Sequence, residues 1–283
     1  MGTGSASETA TTTWCAMTAD RGARVTCWAA ATLILASGCG TNPRNKPAPA
    51  PSVQDGEVLY SHVWSADPGV DLFSRGVELV RASFEAGEYT AFVGLENSYP
   101  GFGGAVRGEA NHGDPDIEYF MTSLEVQTDT QAPGTNFAHI TDYGSTETSV
   151  AATVCHYYLF PEDDTTNISL NPLSMAFRIE LERAGVDAGP AGIPDTDPAR
   201  KDPRAHRVPT WNVFGDWKIT RLHYLRPLNG DVIPQGCTDW WRQQFPNFSP
   251  NAGGNLVPPP GFEPPTMPVA VQYPEWIGPA TPE

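Results

Sequence analysis

Proline placement constrains this chain more than any other feature. The sequence holds 28 prolines, and each removes a backbone donor and fixes φ, so dense runs exclude helix interiors and central strands. They crowd between Pro43 and Pro51, between Pro190 and Pro209, and from Pro246 to Glu283. The first run alternates Pro with Ala and predicts extended chain. The second lies in Gly185 to Pro209 and predicts a long exposed connection. The third contains Pro258-Pro259-Pro260 and Pro264-Pro265 and predicts an extended tail over 246–283. That tail carries Phe248, Phe262, Tyr273 and Trp276, which are costly to leave in water, so it either wraps its own domain or docks on a partner.

Regular elements must fit between these runs. Asp67 to Ala86 predicts a helix: Asp67 suits the cap, Pro68 the first turn, and Val70, Phe73, Val77, Val80 and Phe84 repeat at three- and four-residue steps. Gly87 is the expected stop, and a second short helix is expected over Glu88 to Asn97. Pro100-Gly101-Phe102-Gly103-Gly104 predicts a turn or hairpin. Val150 to Leu159 and Met175 to Leu181 read as strands, the latter alternating Met175, Phe177, Ile179 and Leu181 with polar residues and Ala176. Trp217 to Leu225 reads as another, whose apolar residues change face between Ile219 and Leu222; that predicts a bulge or burial on both sides. Weaker strands are expected at Tyr119 to Val126 and Asn136 to Asp142. The class is α+β, in one domain over 56–245.

The N-terminal region reads as an export signal. Arg21 and Arg24 precede a short apolar core, Val25 to Leu35, and then Ala36-Ser37-Gly38-Cys39. The run is shorter than the roughly 18 apolar residues of a membrane span. The residues before Arg21 are Thr-rich, which makes Met17 an alternative start to Met1. Leu35-Ala36-Ser37-Gly38-Cys39 resembles the lipobox of bacterial lipoproteins, with Leu35 one residue earlier than usual. The resemblance implies removal of 1–38, diacylation of Cys39 and a stable hold on the bilayer. Residues 39–55 then form a Pro/Ala-rich tether, and the domain faces the extracytoplasmic side.

Charge and cysteines narrow the partners further. The formal charge is −16, and Glu8, Asp20, Arg21 and Arg24 cancel within the leader, so the mature part carries all of it. Nucleic acid and anionic lipid headgroups need a basic surface and are excluded as partners on this ground. Of five cysteines, Cys15 and Cys27 fall in the leader and Cys39 takes the lipid. Cys155 and Cys237 remain and read as one disulfide in an oxidising compartment. Buried thiols or a Cys/His metal site are the alternatives, although no CxxC or HxxxH accompanies them.

Two N-terminal helices, a Gly/Pro segment and long strands ending in Gly215-Asp216-Trp217-Lys218-Ile219-Thr220 resemble the NTF2-like superfamily over Val58 to Pro227. The resemblance implies a cone: helices packed on a curved antiparallel sheet, with an apolar pocket at its mouth. That pocket holds an Asp/His or Asp/Tyr pair in the superfamily's enzymes and binds a ligand, binds a subunit or is filled in its noncatalytic members. The insertion Gly185 to Pro209 departs from the compact pattern.

The residues with chemical potential are few. His156 and His223 sit in the similar strings Cys155-His156-Tyr157-Tyr158-Leu159 and Leu222-His223-Tyr224-Leu225. Close together, or near Asp142, they would make a general-base pair; apart, they are hydrogen-bonded structural histidines. With Tyr158 and Trp217 these residues are the candidate ligand pocket. Asp114, Asp116 and Glu118 after His112 lack the remaining ligands of a calcium loop and read as a solvated acidic edge. Asp163 and Asp164 read as turn residues. Trp240 and Trp241 read either as a sugar platform or as a plug beside the disulfide. No GxSxG, HExxH, SxxK, P-loop or dinucleotide fingerprint occurs. The expectation is therefore a noncatalytic ligand-binding or protein-interaction module that requires no cofactor. A small isomerase or hydrolase using a His/carboxylate pair is the alternative.

Overall fold

In the computed structural model, which describes residues 60–106, 117, 133–161, 175–197, 199, 201–251 and 256–279, the first element is a strand. β1 (Tyr60–Ala66) alternates Tyr60, His62 and Trp64 on one face with Ser61, Val63 and Ser65 on the other. It precedes the helix, so the expected order of two helices before any strand does not hold. The expected leader and tether, the strand at Tyr119 to Val126, and His112, Asp114, Asp116, Glu118, Asp163 and Asp164 lie outside the described residues.

The helix itself is displaced toward the C-terminus from the expected Asp67 to Ala86, at nearly the same length. α1 spans Arg75–Val93 and ends at Gly94, whose φ of 77° only glycine adopts without strain. Asp67 does not cap it. The Asp67 N–H bonds to Ile140 O at 3.0 Å and continues the sheet edge, and Gly69 at φ 91° turns the chain away. Gly87 does not stop the helix either, and the expected second helix is its last turns followed by a 3₁₀ turn at Leu95–Asn97. The turn expected over Pro100 to Gly104 forms at Pro100 and Gly101, and the chain then continues not as a hairpin but as the short helix α2 (Phe102–Val106), with Phe102 fully buried.

Four strands follow in one open sheet: β2 (Gly134–Ser145), β3 (Ser149–Leu159), β4 (Met175–Arg183) and, after the two-residue β5 (Ala205–His206), β6 (Trp217–Tyr224). The spatial order is β1-β2-β3-β4-β6, antiparallel except for β1 against β2. Two bulges bend it. Asp142 and Tyr143 together oppose Ala152, with Asp142 in left-handed backbone at φ 49°. Thr220 is the extra residue on β6 between Ile219 and Arg221, which accounts for the change of face seen in the sequence. The fold is thus α+β with a curved, mostly antiparallel open sheet.

Each face of the sheet has its own apolar layer. Even-numbered residues of β3 (Val150, Ala152, Val154) face α1 with Ala138, Ile140, Ile179, Leu181, Val77, Val80 and Phe84. Odd-numbered ones (Cys155, Tyr157, Leu159) face α3 (Gln235–Gln244), with Trp240, Trp241, Phe245 and Phe248. Cys155 and Cys237 are joined by a disulfide, which ties β3 to α3. Trp240 and Trp241 are buried beside that bond, as a plug would be. The short pair β7 (Ser249–Pro250) and β8 (Leu256–Val257) closes this side.

The Pro-rich segments form an outer coat over α1. Arg75 donates to Ala188 O and Val213 O, Glu78 accepts from Gly192 N–H, and Arg81 donates to Pro274 O. Residues 185–209 are irregular as expected, but they are not merely exposed: β5 pairs with β9 (Trp276–Ile277), and Asp195 is buried. The tail wraps the domain. Tyr273 bonds Trp64 N–H and His62 O through its backbone and covers the outer edge of β1. This covering suppresses strand-to-strand pairing with another chain. On the opposite edge, β6 carries Lys218, Arg221 and a bulge, which serve the same end.

Candidate functional site

Buried polar groups gather where β1, α1, β2 and β3 meet beneath Phe84. Alternation puts His62 and His156 on the α1 face of their strands, and α1 brings Glu88 to the same place. His62 Nε2 lies 3.2 Å from Glu88 Oε2, and Asn136 Nδ2 donates to the same oxygen at 2.7 Å. His156 Nδ1 lies 3.2 Å from Asn136 Oδ1. Because the Asn136 amide nitrogen serves Glu88, its oxygen is an acceptor, so His156 carries its proton on Nδ1. The Nε2 of His156 and the Nδ1 of His62 have no hydrogen-bond partner.

Burial and hydrogen bonding set the charge states of His156 and Glu88. Burial drives the His156 pKa down to about 4, against an upward pull from Glu88. His156 is therefore neutral at pH 7. Burial pushes the Glu88 carboxyl upward, but hydrogen bonds from His62 and Asn136 and the neighbouring imidazoles outweigh it, so its pKa lies below the ordinary glutamate value. Acid should cost stability through His156. The unfolded chain binds its proton near 6.5 and the folded chain only near 4, so stability is intact above about 6.5 and falls by about 3 kcal/mol as the pH drops to 4. Urea titrations at pH 7, 5.5 and 4 check this; His156→Leu should flatten that part of the profile.

A fully buried carboxylate sits one turn earlier on α1, whereas the Glu88 side chain is 32% exposed. Glu85 is 1% exposed and accepts from Trp64 Nε1 at 2.8 Å, Tyr99 Oη at 2.6 Å and Trp276 Nε1 at 2.8 Å. The Arg81 guanidinium stands 3.8 Å from it and lies over the Trp276 ring. Burial, with the Glu85 charge second, holds the Tyr99 hydroxyl pKa well above its usual value. This node joins the first strand, the helix and the tail.

The structure disperses the residues expected to line a pocket. His156 lies in the core under Phe84, its ring centroid 5.0 Å away. His223 is the register partner of Arg178, and Arg178 that of Thr153, so it points to the α3 face, opposite to His156. There His223 Nε2 meets Asp231 Oδ2 at 3.0 Å, and the Arg226 N–H donates to the same oxygen at 2.7 Å. Tyr158 packs on Gly134 and Phe160 near the end of β3. Trp217 is buried at the other end of the α1 face beside Arg183, and Asp142 is exposed in its bulge. No two of these five meet in one pocket. A cavity of about 20 Å³, room for one water molecule, lies instead between Phe73, Glu78, Arg81, Gly192–Asp195 and Pro274–Ile277.

His62, Glu85, Glu88 and Asn136 were not singled out by sequence. The aromatic alternation of Tyr60, His62 and Trp64 was the available signal for His62. On α1, Glu85 looks like an ordinary solvent-facing acid until the tail brings Trp276 to it, and Glu88 until the sheet brings His62 and Asn136. Among the described residues, no group of three His, Cys, Asp or Glu side chains is arranged to hold a metal ion, and no helix is long and apolar enough to cross a membrane. Compared with protein-family models, curated proteins and solved structures, the chain matches none.

Proposed function

We propose that this chain is an exported lipoprotein of the cell envelope, held at the extracytoplasmic face by acylated Cys39. In this reading the anchored domain is a variant NTF2-like cone that acts noncatalytically, as a ligand-binding or protein-interaction module. The observation that carries it is the filling beneath α1: Phe84 meets the rings of His62, Trp64, His156 and Phe177 at centroid distances of 5.0–6.1 Å. A cone filled this way leaves recognition to its surface. The strongly acidic mature chain favours partners other than nucleic acid.

Cys39→Ser should move the protein from the membrane fraction to the soluble fraction and abolish incorporation of labelled palmitate. Unchanged partitioning of that variant would sink the anchor. The noncatalytic role is tested by complementation: a His156→Gln, His223→Asn double variant that folds should replace the wild-type protein in a deletion strain. The alternative, an isomerase or hydrolase, draws on His223–Asp231, a His/carboxylate pair with side chains 17% and 22% exposed. Failure of a folded double variant to complement would favour it.

A further inference from the structure

On the α3 face, at the open end of β1, three side chains outside the sites above form a relay. Ser65 and His139 are register partners in the β1–β2 ladder, and Ser65 Oγ lies 2.8 Å from His139 Nδ1. The other ring nitrogen, Nε2, lies 3.1 Å from Asp67 Oδ1. Thr141 donates to Asp67 Oδ2 at 2.6 Å. A Cβ on Gly236 would stand 2.1 Å from Thr141 Oγ1, so α3 packs directly against this threonine. The Trp240 indole stacks flat on the imidazole, with centroids 5.1 Å apart and planes 12° from parallel. Two strands and a helix therefore fix every member.

The hydrogen-bond directions follow from the chemistry of the donors. A carboxylate only accepts, so Nε2 of His139 carries a proton toward Asp67, and in the neutral imidazole the Nδ1 lone pair faces Ser65. The hydrogen bonds from Thr141 and His139 outweigh burial and hold the Asp67 pKa below its ordinary value, which keeps that carboxylate charged. The Ser65 hydroxyl then donates toward the imidazole at 2.8 Å, with the Ala138 carbonyl a longer acceptor at 3.4 Å. That is the arrangement of a serine activated by an oriented base, here with Nδ1 in the accepting position. Ser65 is partly exposed, and the Asp67 side chain is 39% exposed, so the relay opens to solvent at this end.

We propose that Ser65 is a nucleophile that captures activated acyl groups, carboxylic esters or thioesters, as a covalent adduct. Its Oγ forms a bond to the acyl carbon, His139 Nδ1 takes the hydroxyl proton, and the bond to the alcohol or thiol breaks as that group takes the proton from the imidazolium. The His139 side chain is 9% exposed beneath Trp240, which restricts the water needed to release the acyl group. Capture of one equivalent is therefore expected rather than sustained turnover. The inference rests on the ligand-binding half of the reading above and names its ligand class.

The test is reaction of the purified protein with p-nitrophenyl acetate and with a fluorophosphonate probe. The expected result is a burst of one equivalent of p-nitrophenolate and an adduct mapped to Ser65 by mass spectrometry. Ser65→Ala should abolish it, and His139→Gln should slow it by about 100-fold or more. Mapping on the wild-type protein needs no variant to fold. No adduct, or an adduct at another residue, overturns the proposal while leaving the anchor and the complementation result untouched. Steady turnover that depends on Ser65 upholds the nucleophile and overturns the noncatalytic reading.

Discussion

Trp276→Ala should destabilise the domain by about 5 kcal/mol, measured as a fall in the urea midpoint. Removing a buried tryptophan costs about 3–5 kcal/mol through lost burial and the cavity left behind. Trp276 is 2% exposed, and its indole is one of three donors to the buried Glu85 carboxylate. Leaving such an acceptor short of a donor costs a further 1–3 kcal/mol or so. The Arg81 guanidinium, 4.6 Å above the ring, loses its aromatic face in the same change. Trp276→Phe separates the contributions, since it keeps most of the apolar area and deletes the N–H; it should cost about 1–3 kcal/mol. Equal and small effects of both variants would show that the tail lies on the domain without supporting it.

Loss of the Cys155–Cys237 bond should cost about 4 kcal/mol in the loop-entropy description, because it spans a sequence separation of 82 residues. Both sulfurs are fully buried, so replacement by Ala at both positions is a cleaner comparison than reduction. The two losses act differently. The disulfide chiefly restricts the unfolded chain, whereas Trp276 satisfies a folded-state carboxylate, so their effects should add. A midpoint unchanged in the double Ala variant would show that α3 holds to the sheet by its aromatic residues alone.

Strand and helix periodicity was legible wherever neighbouring residues encode it. The alternation from Met175 to Leu181 became β4, and the shift of face after Ile219 became the Thr220 bulge. The Val77, Val80, Phe84 stripe packs on the sheet as the spacing implied. What misled was residue chemistry with more than one use. Asp67 and Pro68 have the form of a helix start, but Asp67 is committed to His139 and Thr141 on β2. Gly87 has the form of a stop, yet it is buried in the interior of α1, which runs on to Val93.

Sequence by itself determined the α+β class, the irregular course of the Pro-rich run from Gly185 to Pro209 and which short segments carry apolar faces. Each depends on backbone donors, φ restriction or spacing within a few residues. Only the tertiary structure decided that His156 and His223 face opposite sides of one sheet, that a strand precedes α1, and that Glu85 is a buried acceptor. The reason is physical: a polar side chain's state depends on who satisfies it. For Glu85 one of those partners is Trp276, 191 residues away, a relation that no local pattern records.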